Sequence, residues 1–179
     1  MGTPTPPAPA ALVASVLFRE EAFLEEALSA LGRDLGPGRR HPEILPFDQS
    51  DYYHAEMGAP LRRALWMADA PVGRDTLADI KLRTNAIESR LKGPGGGRRV
   101  NVDPGILSAE NFILATTKNY AHRVYLRDGI FADLTLIYRD GAWHPLPWTY
   151  PDYAGPEIRK VLKLWRDAYM KGLRIKDGF

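Results

Sequence analysis

Several stretches of the chain carry residue types capable of chemistry, and each also admits a plain structural role. The densest is Asp48-Gln49-Ser50-Asp51-Tyr52-Tyr53-His54-Ala55-Glu56, which packs three carboxylates, two phenols and an imidazole into nine residues. Hard oxygen ligands of this kind suit Mg²⁺ or Mn²⁺, so Asp48, Asp51 and Glu56 are the candidate metal ligands. The competing role is a turn and helix start, with Asp48, Ser50 or Asp51 as the cap and the tyrosines packed inward. A second set, Lys81, Asn85 and Glu88, follows i, i+4, i+7 spacing and forms a polar line beside an apolar helix stripe. Lys81 and Asn85 suit an anionic ligand, and Glu88 can orient Lys81 or Arg98. Ordinary helix surface is the alternative.

Arg98 and Arg99 follow Gly93-Pro94-Gly95-Gly96-Gly97 and have the fork geometry that clamps a phosphate. The glycines themselves are a connector, because no GxxxxGK[ST] pattern is present. Lys118 and Arg123 extend the cationic set. His122 and Asp133 form the candidate acid/base pair. With Asp128-Gly129 as a two-residue turn, Arg127 pairs with Ile130 and Val124 with Asp133, which leaves His122 diagonal to Asp133 on one face. A carboxylate that orients an imidazole serves general base catalysis, and equally serves as a structural pair. A G1 bulge would shift this register by one and move the pair to opposite faces. Tyr150, within Trp148-Thr149-Tyr150-Pro151-Asp152-Tyr153, belongs to an aromatic platform for a base or sugar, or to an aromatic cap on the core.

The elements that must position these groups are legible in outline. Leu12 to Phe18 reads as a buried strand, Glu20 to Leu35 as a helix, and His41 to Phe47 as an edge strand broken by Pro42 and Pro46. Leu61 to Met67 is a third strand. Asp75 or Thr76 caps a second helix carrying Leu77, Ile80, Thr84, Ile87 and Leu91. Arg98 to Val102 is a fourth strand, ending in an Asp103-Pro104-Gly105 turn. That order is the ferredoxin-like βαββαβ arrangement. Phe112 to Thr117, His122 to Arg127, Ile130 to Tyr138 and Ala142 to Leu146 alternate around two Asp-Gly turns as an antiparallel meander. Pro156 opens a last helix. The expected fold is α+β, with residues 1–11 a Pro-rich lead-in and 12–179 one domain: a split βαβ half over 12–106, a meander over 107–155 and a helix over 156–172.

Composition narrows the classes. Of 179 residues, 45% are hydrophobic and 26% charged, which excludes a disordered or collagen-like chain. The net charge of +2 provides no global polybasic signal for nucleic acid, so an RNA-binding module is the weaker alternative and a non-catalytic interaction protein the third. Zero Cys excludes disulfides, thiol nucleophiles and Cys-ligated metals, and fits a cytoplasmic location. No signal-peptide n-region or membrane-length apolar run is present, so no membrane attachment is expected. Charge is nevertheless uneven. Residues 81–99 hold six Lys and Arg against Glu88 alone.

Taken together, Pro46-Phe47-Asp48 with Tyr52-Tyr53 and Glu56-Met57-Gly58, Ile80-Lys81 with Thr84-Asn85 and Glu88, Asn101 with Asp103-Pro104-Gly105, Ala115-Thr116-Thr117-Lys118 with His122-Arg123 and Tyr125-Leu126, and Trp148 to Tyr153 resemble a bacterial family known as a domain of unknown function. Some of its members carry a GTP-binding label in genomes. The resemblance covers residues 12 to 170 and implies no assigned activity. The functional expectation is a pocket for a phosphate-bearing small molecule, a nucleotide for instance, with Mg²⁺-dependent phosphoryl hydrolysis or transfer as the reaction class.

Overall fold

The structure is a computed structural model that describes residues 2–49 and 51–176, with the side chains of 51 and 174–176 outside the description. β1 (Ala11–Phe18) is buried at all eight positions, as an unbroken apolar run requires of a central strand. α1 (Glu21–Leu35) turns Leu24, Ala27, Ala30 and Leu31 inward. β2 (Gly38–Arg40) and β3 (Leu45–Phe47) both pair with β4 (Leu61–Ala68). Of the strand expected over 41–47 only Leu45–Phe47 forms one; β2 precedes that span, and Pro42, whose ring nitrogen has no proton for a ladder, lies in the gap between the two. A 3₁₀ turn (Asp51–Tyr53) and α2 (His54–Met57) follow, then β4. α3 (Leu77–Arg90) begins after Thr76, whose hydroxyl donates to the Gly73 carbonyl at 2.7 Å and makes no side-chain cap.

β5 (Val100–Leu107), β6 (Asn111–Thr116), β7 (Arg123–Arg127), β8 (Ile130–Arg139) and β9 (Ala142–Pro145) lead to α4 (Pro151–Ala154) and α5 (Pro156–Lys176). One antiparallel sheet of nine strands results, in the order β2-β4-β1-β5-β6-β8-β7, with β3 on β4 and β9 on β8. The meander thus extends the first half's sheet rather than forming a second layer. Alternation along β1 divides the core between two faces. Leu12, Ala14, Val16 and Phe18 pack with α1 and with Ile80 and Ile87 of α3. Val13 joins Leu65, Phe112 and Leu136 under Ile158, Val161, Leu162 and Trp165 of α5. Among the described residues, no helix is long and apolar enough to cross a membrane.

The sheet forks between β5 and β6. β5 pairs with β1 along all eight residues, yet with β6 only at Gly105↔Leu114, Ile106↔Ile113 and Leu107↔Phe112. Past that point β6 stays with β8 and leaves β5. The break falls at Pro104. Alternation aims its nitrogen the same way as the Val102 N–H, toward β6, and proline has no proton to give there. Asp103-Pro104-Gly105, expected as a turn, is instead mid-strand: proline ends one ladder without ending the strand. Gly105 closes the last pair because a Cβ would come within 2.8 Å of the Ile113 carbonyl and 2.9 Å of the Phe112 ring.

Both Asp-Gly pairs form two-residue turns with left-handed backbone, φ 53 and 75 at Asp128-Gly129 and φ 50 and 78 at Asp140-Gly141. Arg127↔Ile130, Arg139↔Ala142 and Ile137↔His144 pair as the turns dictate. A bulge between Tyr125 and Arg127 then shifts the first hairpin, so Arg123 rather than Val124 lies opposite Asp133.

Candidate functional site

The fork opens into a cavity of about 500 Å³. Asn101 and Asp103 of β5 line one wall, and residues 114–118 of β6 and its exit line the other; these are the residues that would have paired had the ladder continued. α3 contributes Lys81, Asn85 and Glu88. Arg63 of β4, Tyr52 and Tyr53, and residues 150–153 complete the enclosure.

The polar line on α3 has a structural reason. Val102 faces the fork with no strand beside it. Glu88 Oε1 accepts its N–H at 2.7 Å, and Lys81 Nζ donates to its carbonyl at 3.0 Å. Two side chains thus stand in for the missing strand, which keeps the backbone of β5 satisfied. Lys81 Nζ also donates to Asp103 Oδ1 at 3.1 Å, and an ammonium has a third proton for a ligand. Burial pushes the Glu88 carboxyl up to about 7, against the opposing pull of Lys81 and the Val102 N–H. Among the described residues its Oε2 has Arg98 Nη1 as an ion-pair neighbour at 3.8 Å and no hydrogen bond. A carboxyl group that changes charge near neutrality inside a cavity is equipped for proton transfer.

Arg63 is the group that sequence reasoning missed. Its side chain is 5% exposed, ion-paired through Nη2 to Asp152, and its Cζ lies 5.1 Å from the Phe47 ring centre and 5.0 Å from that of Tyr153. Its Nη1 is buried without a hydrogen-bond partner among the described residues, and the buried Tyr153 hydroxyl lies beside the Ser15 hydroxyl. Burial pushes the Tyr153 phenol up, so it stays protonated. A signal existed: Arg62-Arg63 lies inside an apolar strand, and alternation forces one of two successive arginines onto the buried face.

Asp133 lies 2% exposed on the cavity wall, with Oδ2 the strongly held oxygen and Oδ1 sharing the Thr135 hydroxyl with its own carbonyl. Oδ2 accepts Arg123 Nε at 2.9 Å and lies 3.2 Å from His122 Nε2, while Thr135 Oγ1 sits 3.2 Å from Oδ1. The expected His122–Asp133 contact is present, but by another route. His122 precedes β7 and curls back, its ring stacked on Trp148 at 4.9 Å between centres, outside the cavity lining. Arg123 also donates to the Tyr150 hydroxyl at 2.6 Å and the Lys118 carbonyl at 3.0 Å, which ties the walls together from behind.

Seven of the thirteen expected site residues line the cavity: Lys81, Asn85, Glu88, Arg98, Lys118, Asp133 and Tyr150. Lys118 Nζ rests 4.1 Å above the Tyr52 ring. Arg99 instead faces Glu26 at 2.9 Å and the Leu91 carbonyl at 2.6 Å, away from the others. Of the expected metal trio Asp48, Asp51 and Glu56, the side chain of Asp51 lies outside the described residues. Glu56 holds Arg98 through Oε2 at 2.6 and 2.8 Å, a contact that lowers its carboxyl below the usual range. Asp48 accepts from Gln49 at 2.7 Å, and Ser50 also lies outside the described residues. Among the described residues no three His, Asp or Glu gather to hold a metal ion.

Residues 8–169 match the family described as a domain of unknown function, DUF4416. The chain belongs to that family. Neither a curated protein nor a solved structure matches the chain. The DUF4416 match spans both walls of the fork, so the cavity is internal to the family's domain and is not made by an appended segment.

Proposed function

We propose that the fork cavity binds a phosphate-bearing small molecule of nucleotide size, and that Glu88 is its proton-transfer group for phosphoryl hydrolysis or transfer. The observation that carries this is the convergence of Arg63, Lys81, Arg98 and Lys118 on one cavity of about 500 Å³, within the span of small-molecule sites. Buried guanidinium and ammonium groups with unspent donors are what a phosphate recognises. Tyr52 and Tyr53, edge to face at 5.0 Å, offer ring faces for a base at the rim. Glu88 replaces His122–Asp133 as the acid/base in this reading, because Asp133 Oδ2 is held by Arg123 and His122 and the His122 ring lies outside the cavity lining. Mg²⁺ enters it only as a companion of the phosphate, since Glu56 is committed to Arg98.

The finer fold reading belongs to the same proposal. The first half is a ferredoxin-like split βαβ unit, supported by the antiparallel order β2/β3-β4-β1-β5 and by α1 and α3 on one face.

Thermal unfolding with millimolar nucleotides and sugar phosphates, with and without Mg²⁺, tests the reading. At a hundredfold excess over Kd, linkage predicts ~2.7 kcal/mol of stabilisation, roughly a 5–10 °C rise in Tm for a chain of this size. No shift with any phosphate compound overturns it. Salt-dependent binding of single-stranded RNA in place of small ligands would move the assignment to nucleic acid.

A further inference from the structure

The charges around the cavity restrict which phosphate compound it takes. Among the described residues the lining holds four cations, Arg63, Lys81, Arg98 and Lys118, and four carboxylates, Glu88, Asp103, Asp133 and Asp152. Most of the cations are already spoken for. Arg63 is paired with Asp152, Lys81 with Asp103, and Arg98 with Glu56 and Glu88. Only isolated donors are left over: Nη1 of Arg63, one proton of Lys81, and Lys118 over its tyrosine ring. A polyphosphate would bring several further negative charges beside Asp103, Asp133 and Asp152, and beside Glu88 whenever it is ionised, in a site of low dielectric where like charges repel strongly.

The deepest of these donors are at Arg63. Its Nη1 is buried without a partner among the described residues, the Tyr153 hydroxyl is buried beside the Ser15 hydroxyl, and both belong to lining residues that touch through a cation–ring contact of 5.0 Å. Leaving a buried guanidinium nitrogen unpaired is costly, and an anion that enters recovers that cost. Resting on the reading of the cavity as a phosphate site, we propose that its ligand is a phosphomonoester, a nucleoside monophosphate rather than a di- or triphosphate, with the phosphate seated on Arg63 and Tyr153 and the base toward Tyr52 and Tyr53. Nucleoside monophosphates are the smallest members of the class that carry both a phosphate and a stacking ring. Their single phosphate needs the two or three donors that are present, and no more.

Isothermal titration of the full chain with AMP, GMP, ATP, GTP and inorganic phosphate, without Mg²⁺ and at one ionic strength, is the test. The expected result is that one of the monophosphates binds at least tenfold tighter than its own triphosphate and than inorganic phosphate. A triphosphate that binds as tightly or tighter overturns the monophosphate assignment and leaves the phosphate cavity standing. Absence of binding by all five overturns the monophosphate assignment, and the phosphate cavity falls with it when sugar phosphates and Mg²⁺ also give no thermal shift. Two variants then locate the phosphate. Tyr153→Phe removes a hydroxyl whose one neighbour is the Ser15 hydroxyl, so its Tm stays close to the parent value while monophosphate affinity falls by roughly tenfold. Arg63→Lys keeps the charge but loses the planar fork, and reduces affinity further. Unchanged affinity in Tyr153→Phe, whose fold is expected to be intact, overturns the Arg63–Tyr153 seat.

Discussion

Two buried carboxylates, Asp133 and Glu88, line the same cavity from opposite walls and are 2% and 8% exposed. Asp133 has a guanidinium, an imidazole and a hydroxyl on its oxygens. Glu88 has one backbone N–H on one oxygen, and a guanidinium 3.8 Å from the other. Equal burial therefore has opposite consequences. A carboxylate whose partners are all strong and local is a clasp, and it joins the β7–β8 hairpin to the Tyr150 segment through Arg123. A carboxylate that is underpaired has its charge held back by desolvation, and it becomes the group that can take and give a proton. On the proposed reading, the pair that looks catalytic on its own motif, a His beside an Asp, takes the structural role.

The largest effect should come from breaking the clasp. Asp133→Ala leaves the Arg123 guanidinium buried without its carboxylate, and loss of one member of a buried pair costs about 3–5 kcal/mol. Chemical denaturation should register that loss, with Tm down by on the order of 10 °C. A change below about 1 kcal/mol would make Asp133 as underpaired as Glu88 and remove the contrast.

Next in size is Glu88→Gln. Folding raises the Glu88 carboxyl from 4.5 to about 7, so the folded chain holds that proton more tightly than the unfolded one. Its contribution to stability is whole below about 4.5, declines as pH rises to about 7 and is level above. The glutamine variant has no such decline, so above pH 7 it should exceed the parent by up to ~3 kcal/mol, and the two should converge at low pH. Parallel stability curves from pH 4 to 8 would contradict the account. His122→Gln should cost about 1 kcal/mol, because Arg123 still holds Asp133, and should leave ligand affinity unchanged. A collapse in affinity would restore His122 to the site. Smallest of all is Arg99→Ala, which removes a partly exposed pair with Glu26 and should lower stability by less than ~1 kcal/mol with no effect on binding.

Element types were largely legible in the sequence because apolar period and Asp-Gly turns are local signals. The β1 run, the α1 and α3 stripes and both hairpin turns needed only neighbours to be read. The fork did not follow from such signals. Asp103-Pro104-Gly105 has the composition of a turn, and only the two flanking strands show that Pro104 interrupts one ladder while the other continues. The bulge at Tyr125–Arg127 is the register alternative that the sequence leaves open; it brings Arg123 rather than Val124 opposite Asp133, yet His122 still reaches Asp133. At the site, the i, i+4, i+7 line on α3 singled out Lys81, Asn85 and Glu88, since helix spacing alone puts them on one face. What those residues face is the unpaired edge of β5, a tertiary fact. Arg63 was passed over because a charge in an apolar strand is ordinarily solvent-facing, and its partner Asp152 lies 89 residues away. Glu56 and Arg98, predicted for separate metal and phosphate roles, bind each other across 42 residues.

The fork as a phosphate site is tested most directly by a crystal structure of the protein grown with the tightest-binding nucleoside monophosphate at a concentration that saturates it in solution. The account predicts the phosphate within hydrogen-bond distance of Arg63 Nη1 and the Tyr153 hydroxyl, with the base against Tyr52 or Tyr53. A ligand bound anywhere outside the gap between β5 and β6 would contradict it.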